Sequence, residues 1–236
     1  MKISIIIPIL NEAETINTLI SHLITSLHSA KNIEEIIIVD GGSTDGSVDI
    51  VTAFSKDKKI PIQIISSNKG RAKQLNAGAA VAIGDILYFL HADSFPPQSF
   101  DTYIIDEVQK GNEAGCFRMK FDSNHWWLRF LGWLTQFKSK RCRGGDQSQF
   151  ITASLFKKID GYDESYIVYE DNDLVDRLFA INTFVIIPKN VITSARRYNE
   201  VGVWRLQYHF LNIHMRRWMG ASSQELYQYY KDKVAS

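Results

Sequence analysis

The chain has 236 residues, 45% of them apolar and 22% charged, with a formal net charge of +1. That length suits one α/β domain with a sizeable core, and the near-neutral balance supplies no field favouring nucleic acid or an acidic partner. Its two cysteines, Cys116 and Cys142, lack CxxC spacing, which argues against a disulfide framework or a cysteine-rich zinc site and fits a reducing cytoplasm.

The opening MKISIIIPIL reads as a first strand, because Pro8 interrupts its apolar run and acid follows at once in NEAE. From about Glu12 to Ser29, Ile16, Leu19, Ile20, Leu23, Ile24 and Leu27 recur at steps of three and four, the spacing of one helix face. A second apolar run, EIIIVD (35–40), leads into GGSTDGSVDIVTAFS, where Ser43 or Thr44 can cap a helix starting near Asp45. IQIIS (62–66) precedes the helical GRAKQLNAGAAVAIG, and DILYFL (85–90) closes a series of four βα-like units. Such a series predicts a parallel sheet flanked by helices.

The second half is less regular. Strands are expected at 111–121, after the GGDQ loop at 144–152, and at 183–188; helices at 125–140, 169–180 and from Val203 to Lys231. No linker, repeat or low-complexity block divides the chain, so one domain is expected.

In open α/β sheets ligands collect beyond the carboxyl ends of the strands. Those ends carry Pro8, Asn11 and Glu12 after the first strand; Asp40, Ser43 and Asp45 after the second; Lys69, Gly70 and Arg71 after the third; His91 and Asp93 after the fourth. Each group has a structural reading beside the functional one. DGGSTDGS is a ligand loop or a capped βα turn. Arg71 and Lys73 oppose the dipole at a helix start unless an anion is there, or form a solvated first turn. If the segment past the fourth strand stays extended, His91 and Asp93 share one side of it and suit a hard cation; alternatively His91 is a turn residue and Asp93 caps the helix after Pro96 and Pro97. Glu170, Asp171 and Asp173 crowd a helix start, where acid is favourable for dipole reasons alone, yet one of them could be a general base, and spacing does not choose. Asp146 and Gln147 in GGDQ serve a sugar, a phosphate or a tight turn, and Arg196 with Arg197 serve a diphosphate or the surface.

Taken together, SIIIPILNEAETI (4–16), IIIVDGGSTDGS (36–47), GRAKQLNAGAAVAIGDILYFLHADS (70–94) and YEDNDLVDRL (169–178) resemble the family 2 glycosyltransferases of GT-A fold, and within them a small stand-alone bacterial group. The resemblance implies a Rossmann-like, mostly parallel α/β sheet with a C-terminal helical extension, divided into a nucleotide-binding half (1–95), an acceptor and catalytic half (96–200) and C-terminal helices (201–236). It implies inverting transfer of a sugar from a UDP- or GDP-sugar to a carbohydrate or lipid-linked acceptor, with Mn²⁺ or Mg²⁺ as cofactor. Pro8, Asn11, Glu12 and Asp40 would surround base and ribose. Ser43, Lys69, Gly70, Arg71, Asn76, Ala92, Gly145, Asp146, Arg196 and Arg197 complete the implied donor contacts. Asp93 matches the last acid of the Asp-x-Asp metal motif, while His91 stands where its first Asp normally does. Asp171 matches the acid proposed as general base, with Glu170 in reserve. The Gln-x-x-Arg-Trp motif of processive synthases is absent. Two other readings compete: a non-catalytic nucleotide-sugar binder, which would not need Asp171, and a sugar nucleotidyltransferase, whose glycine-rich basic start is missing after the first strand.

Aromatics concentrate at Trp126, Trp127, Phe130, Trp133 and Phe137 and again at Trp204, Tyr208, Phe210 and Trp218. Packing in the core, with a homodimer face, is the expected use. The alternative is an interfacial surface in which Arg129, Lys138, Lys140, Arg141 and Arg143 meet a membrane periphery.

Overall fold

A computed structural model describes residues 1–55, 60–143, 147–181 and 183–234. Strand β1 (Ile3–Ile9) lies beside β2 (Ile33–Asp40), which lies beside β3 (Ile62–Ser66), while β4 (Ile86–Phe89) flanks β1 on its other side. All three pairings are parallel, as the βα series requires. The period of two in these strands sorts side chains to two cores. Ile3, Ile5, Ile7 and Ile9 join Ile36, Ile38, Tyr88 and Leu90 under α1 (Ile16–Ser26), α2 (Ser47–Ser55) and α4 (Phe100–Gln109). Ile6, Ile37, Val39, Leu87 and Phe89 face α3 (Arg71–Val81), α6 (Ala153–Lys158) and α7 (Glu170–Ala180) on the opposite side. Helix α1 is shorter than its apolar period, since Leu27 already has extended backbone.

Pro8 lies within β1, opposite Val39, and not beyond the strand as expected. Its missing N–H costs no ladder bond, because β4 pairs with β1 only as far as Ile6.

The rest of the sheet departs from the parallel pattern. Among the described residues the order is β3-β2-β1-β4-β7-β6-β8-β5, with β5 (Ser94–Phe95), β6 (Ala114–Phe121), β7 (Gln149–Thr152) and β8 (Phe184–Thr193). β7 runs antiparallel to both β4 and β6, β5 is antiparallel to β8, and β6 with β8 is parallel. Helix α5 (Trp126–Leu134) precedes β7, and α8 (Arg196–Val201), α9 (Val203–Trp218) and α10 (Ser223–Lys233) end the chain. The tail, expected to be helical from Val203 to Lys231, is broken at 219–222, where Ser222 and Glu225 form a capping box that starts α10.

Helix α3 rests directly on β1 and β2 at Gly78. A Cβ there would stand 2.5 Å from Ile6 Cγ2 and 2.9 Å from Val39 Cγ2. Gly78→Val is therefore expected to cost about 1–3 kcal/mol through overpacking. Thermal unfolding reads this as a lowered Tm, and an unchanged Tm would mean that α3 lifts off the sheet freely.

Candidate functional site

The direction of chain progression reverses between β1 and β4, which makes their carboxyl ends the switch point of the sheet. Two loops from β1 and β2 are stitched together there. The Asn11 N–H donates to Ser43 Oγ at 2.9 Å, the Glu12 N–H to Ser47 Oγ at 2.8 Å, and the Ala13 N–H to Asp45 Oδ2 at 2.9 Å. Thr44 N–H returns a bond to Asn11 Oδ1 at 2.8 Å. Ser43 and Thr44 consequently do not cap α2, which starts at Ser47. Asn11 has φ +58°, a left-handed turn that Asn tolerates because its short polar side chain bonds locally.

Asp40 ends β2 almost fully buried, and its carboxylate accepts the N–H groups of Gly42 at 3.1 Å and Ser43 at 3.0 Å. Below it, Gln74 of α3 donates to the carbonyls of Ile9 and Val39, both at 2.8 Å, tying the ends of β1 and β2 to the helix. Nothing in the hydrophobic pattern singled out Gln74. Lys69 is exposed, and Gly70 takes φ +137° to turn the chain into α3, a conformation that favours glycine.

Past β4 the chain does not stay extended. Ser94 N–H bonds the His91 carbonyl at 3.1 Å, closing a turn over His91, Ala92 and Asp93, so the one-sided placement expected of His91 and Asp93 fails. Asp93 does not cap α4 either; that helix starts at Phe100 after Ser99. Ala92 is a core residue. His91 is buried and turns Nε2 toward Asp171 Oδ2 at 3.8 Å.

The acids at the start of α7 separate by their partners. Asp173 accepts from Arg177 Nε at 2.9 Å, and Arg177 also bonds the carbonyls of Ile159 and Gly161, so this acid fixes the loop before α7. Glu170 and Asp171 turn instead toward Arg71, whose Nη1 lies 3.2 Å from Glu170 Oε1 and 3.7 Å from Asp171 Oδ2. The Arg71 side chain is 45% exposed, whereas Glu170 and Asp171 are 4% and 6% exposed. Burial first, and then the Asp171 charge, raise the Glu170 pKa to about 7 against the pull of Arg71. Tyr162 lies beneath the pair with its hydroxyl buried and unpartnered among the described residues; burial, then Asp171 and Glu170, hold that phenol well above its ordinary pKa. Tyr169, which precedes the pair, adopts φ +83°. Strain of that kind at a non-glycine residue clusters at working sites.

Several expected contacts are placed elsewhere. Asn76 spends its amide on the Tyr162 carbonyl and Glu164 while its Oδ1 accepts the Tyr162 N–H, an anchor for the loop before α7. Arg196 reaches Glu12 Oε1 at 3.4 Å and so stands at the β1 end, but Arg197 points the other way, 5.2 Å over the Tyr230 ring of α10. Gln147 is occupied by Arg143, Cys116 and the Cys142 carbonyl. Gly145 and Asp146 lie outside the described residues.

No three His, Cys, Asp or Glu side chains converge to hold a metal among the described residues. The donor set nevertheless fits a hard cation carried on a diphosphate, since Mg²⁺ takes one or two protein carboxylates and completes its shell with phosphate oxygens and water. Asp93 is the half-buried carboxylate at the β4 end that could serve.

The profile of the family described as Glycosyl transferase family 2 matches residues 4–174. The chain belongs to this family. Among relatives of this family 2 glycosyltransferase, the probable glycosyltransferase YdaM of Bacillus subtilis (strain 168) is 25% identical over 222 residues, which are 86% of this chain and 52% of YdaM. The undecaprenyl-phosphate 4-deoxy-4-formamido-L-arabinose transferase of Pectobacterium carotovorum subsp. carotovorum is 30% identical over 120 residues, 50% of this chain and 37% of that enzyme. The chain thus spans about half or less of the length of these curated relatives. Its fold matches the mannosyltransferase PcManGT of Pyrobaculum calidifontis, solved with GDP-Man and Mn²⁺, at TM-score 0.71 and 16% identity, covering 97% of this chain and 69% of that one. S. aureus TarS 1-349 with UDP matches at TM-score 0.66 and 16% identity, covering 82% and 60%. The mostly parallel α/β architecture is therefore the GT-A fold.

Proposed function

We propose that this protein transfers a sugar from a nucleoside diphosphate donor, a UDP- or GDP-sugar, to an acceptor hydroxyl with inversion at the anomeric carbon. The observation that carries this reading is the meeting of Arg71, His91, Glu170 and Asp171 at the sheet's switch point, with Arg71 and Glu170 99 residues apart in sequence. A nucleotide-binding module has no use for a buried acid pair there; a transferase needs a base facing the acceptor. Asp171 takes the acceptor proton as the acceptor oxygen bonds to the anomeric carbon and the bond from that carbon to the diphosphate oxygen breaks. The diphosphate leaves with both electrons of that bond. Asn11, Glu12 and Asp40 border the base and ribose, and Arg71 and Arg196 supply charge to the phosphates. Asp93 would hold Mn²⁺ or Mg²⁺, which when bound would neutralise charge on the departing diphosphate, while His91 turns to Asp171. Residues 1–95 would form the donor half and residues 96–200 the acceptor half. Two names support this reading: the structural neighbour PcManGT was solved with GDP-Man and Mn²⁺, and the Pectobacterium relative is named undecaprenyl-phosphate 4-deoxy-4-formamido-L-arabinose transferase.

A thermal-shift panel of UDP- and GDP-sugars, with and without Mn²⁺, tests the donor half. Saturation at 100 times Kd stabilises by about 2.7 kcal/mol, or roughly 5–10 °C for a chain of this size. One nucleotide class should give that shift, with Asp93→Ala removing its Mn²⁺-dependent part. No shift with any donor would overturn the reading, and a shift indifferent to metal would move the phosphates onto Arg71 and Arg196.

A further inference from the structure

The aromatics expected in the core are largely outside it. Trp126, Trp133, Trp204 and Trp218 are 62%, 55%, 56% and 86% exposed, although the chain holds only five tryptophans. Their spacing is regular. Along α9, Trp204, Tyr208, Leu211, Met215 and Trp218 follow one another at steps of four and three, and all are exposed. The core-facing stripe of the same helix is a different set, Leu206 and Ile213 with Phe210. Helix α9 therefore carries two apolar faces and buries one. On α5 the same step joins Trp126, Phe130 and Trp133, continued by Phe137 just past its end, again exposed. The two stripes meet, with the Trp204 ring 5.8 Å from Trp126 and 5.3 Å from Trp127.

The charge carried by these two segments is one-sided. Residues 123–145 and 201–224 contain Lys and Arg but no Asp or Glu, in a chain with 26 acids. Of these cations, Arg143 is buried and bonds the carbonyls of Thr135 and Phe137, so it does not face out as expected. Arg129, Lys138, Arg205 and Arg216 are exposed, as is Lys140, which pairs with Asp176 at 3.5 Å. Beside Trp133 opens a pocket of about 250 Å³ whose polar lining includes Arg118, Lys120, Arg129, Gln136 and Asn190, with no acid. The Nε of Arg118 is buried without a hydrogen-bond partner among the described residues.

We infer that the α5–α9 face docks on an anionic lipid bilayer, with the aromatic stripes at the acyl boundary and the basic pocket receiving a headgroup phosphate. Tryptophan and tyrosine with basic neighbours are the composition of such an interface. A second copy of the chain fits worse, because a twofold contact would set this predominantly basic face against itself, and Asp176, the carboxylate that reaches it, is already paired with Lys140. The face is also close to the acid pair, since His214 of α9 lies 5.2 Å from the ring of Tyr169, which immediately precedes Glu170.

The test is flotation of the full chain with vesicles of phosphatidylcholine alone and of phosphatidylcholine mixed with phosphatidylglycerol. Binding should favour the anionic vesicles by roughly tenfold or more and weaken with salt. The double variant Leu211→Ser with Trp218→Ser, and separately Lys120→Glu with Arg129→Glu, should each lose roughly tenfold or more while keeping the wild-type melting curve. All four side chains are solvent-facing, so folding is not at stake. Absence of flotation with both vesicles overturns the inference, as does equal binding to both. A dimer in sedimentation that Leu211→Ser with Trp218→Ser dissociates, without vesicle binding, assigns the face to self-association. Retention on single-stranded oligonucleotide in place of vesicles assigns it to nucleic acid. Neither flotation nor sedimentation depends on sugar transfer, so the outcome stands apart from the proposed reaction.

Discussion

Asp171→Asn is expected to reduce sugar transfer by roughly 10²–10⁴-fold, the range that a positioned general base supplies. The substitution keeps the shape of the side chain and removes its ability to take a proton. It also removes one of two adjacent buried negative charges, so the fold should not suffer; Arg71 still has Glu170, 3.2 Å away. Donor affinity, read by the same thermal shift, should stay within a few-fold, because the base acts on the acceptor. The split between lost turnover and retained donor binding is what distinguishes a base from a structural carboxylate. Activity within tenfold of wild type would hand the role to Glu170. Loss of donor binding together with a lowered Tm would make Asp171 a strut for Arg71.

The first half of the fold was legible because β1, β2 and β4 are buried on both faces, and such strands write themselves as unbroken apolar runs separated by helical periods, while the edge strand β3 is only partly covered. Their ends were legible for the same reason: a polar residue at the tip of a buried strand, such as Asp40 or His91, has few ordinary uses. Periodicity carries no information on strand direction, however. β7 could only be known as antiparallel from its neighbours. Nor could spacing divide Glu170, Asp171 and Asp173, since all three sit in one helical turn that favours acid. What divided them were their partners: distant Arg71 for the first two, and for Asp173 an arginine one turn along that reaches back to the preceding loop. Arg196 and Arg197 are an adjacent pair that a helix start sends to opposite sides, one to Glu12 and one to Tyr230.

The aromatic segments misled for a different reason. An apolar stripe at helical spacing says that a face is apolar, not that protein covers it. In α9 the pattern is apolar on two faces, and only the three-dimensional packing tells which is used. The absence of acid over residues 123–145 and 201–224 was the readable clue, because a helix face meant for the core does not require its solvated side to be of one sign.

Glu170→Gln is expected to raise stability in a pH-dependent way. Glu170 has its pKa raised from 4.5 to about 7 by burial and by the neighbouring Asp171 charge. Between those values the folded chain holds a proton that the unfolded chain has released, so the contribution of Glu170 to stability is fully present below pH 4.5 and is lost as pH rises through 7. A shift of this size corresponds to on the order of 3 kcal/mol, or roughly 5–10 °C in Tm for a chain of this length. The glutamine variant cannot ionise and retains an acceptor for Arg71, so it should escape this loss. Its Tm should come closest to that of the wild type near pH 4 and exceed it at pH 8. Because the charge on Glu170 appears directly beside Asp171, the wild-type rate of transfer should carry an inflection near pH 7 that the variant lacks. A wild-type Tm that is flat from pH 5 to 8 would mean that Arg71 fully compensates the buried carboxylate, and the rate inflection would then be expected to vanish as well.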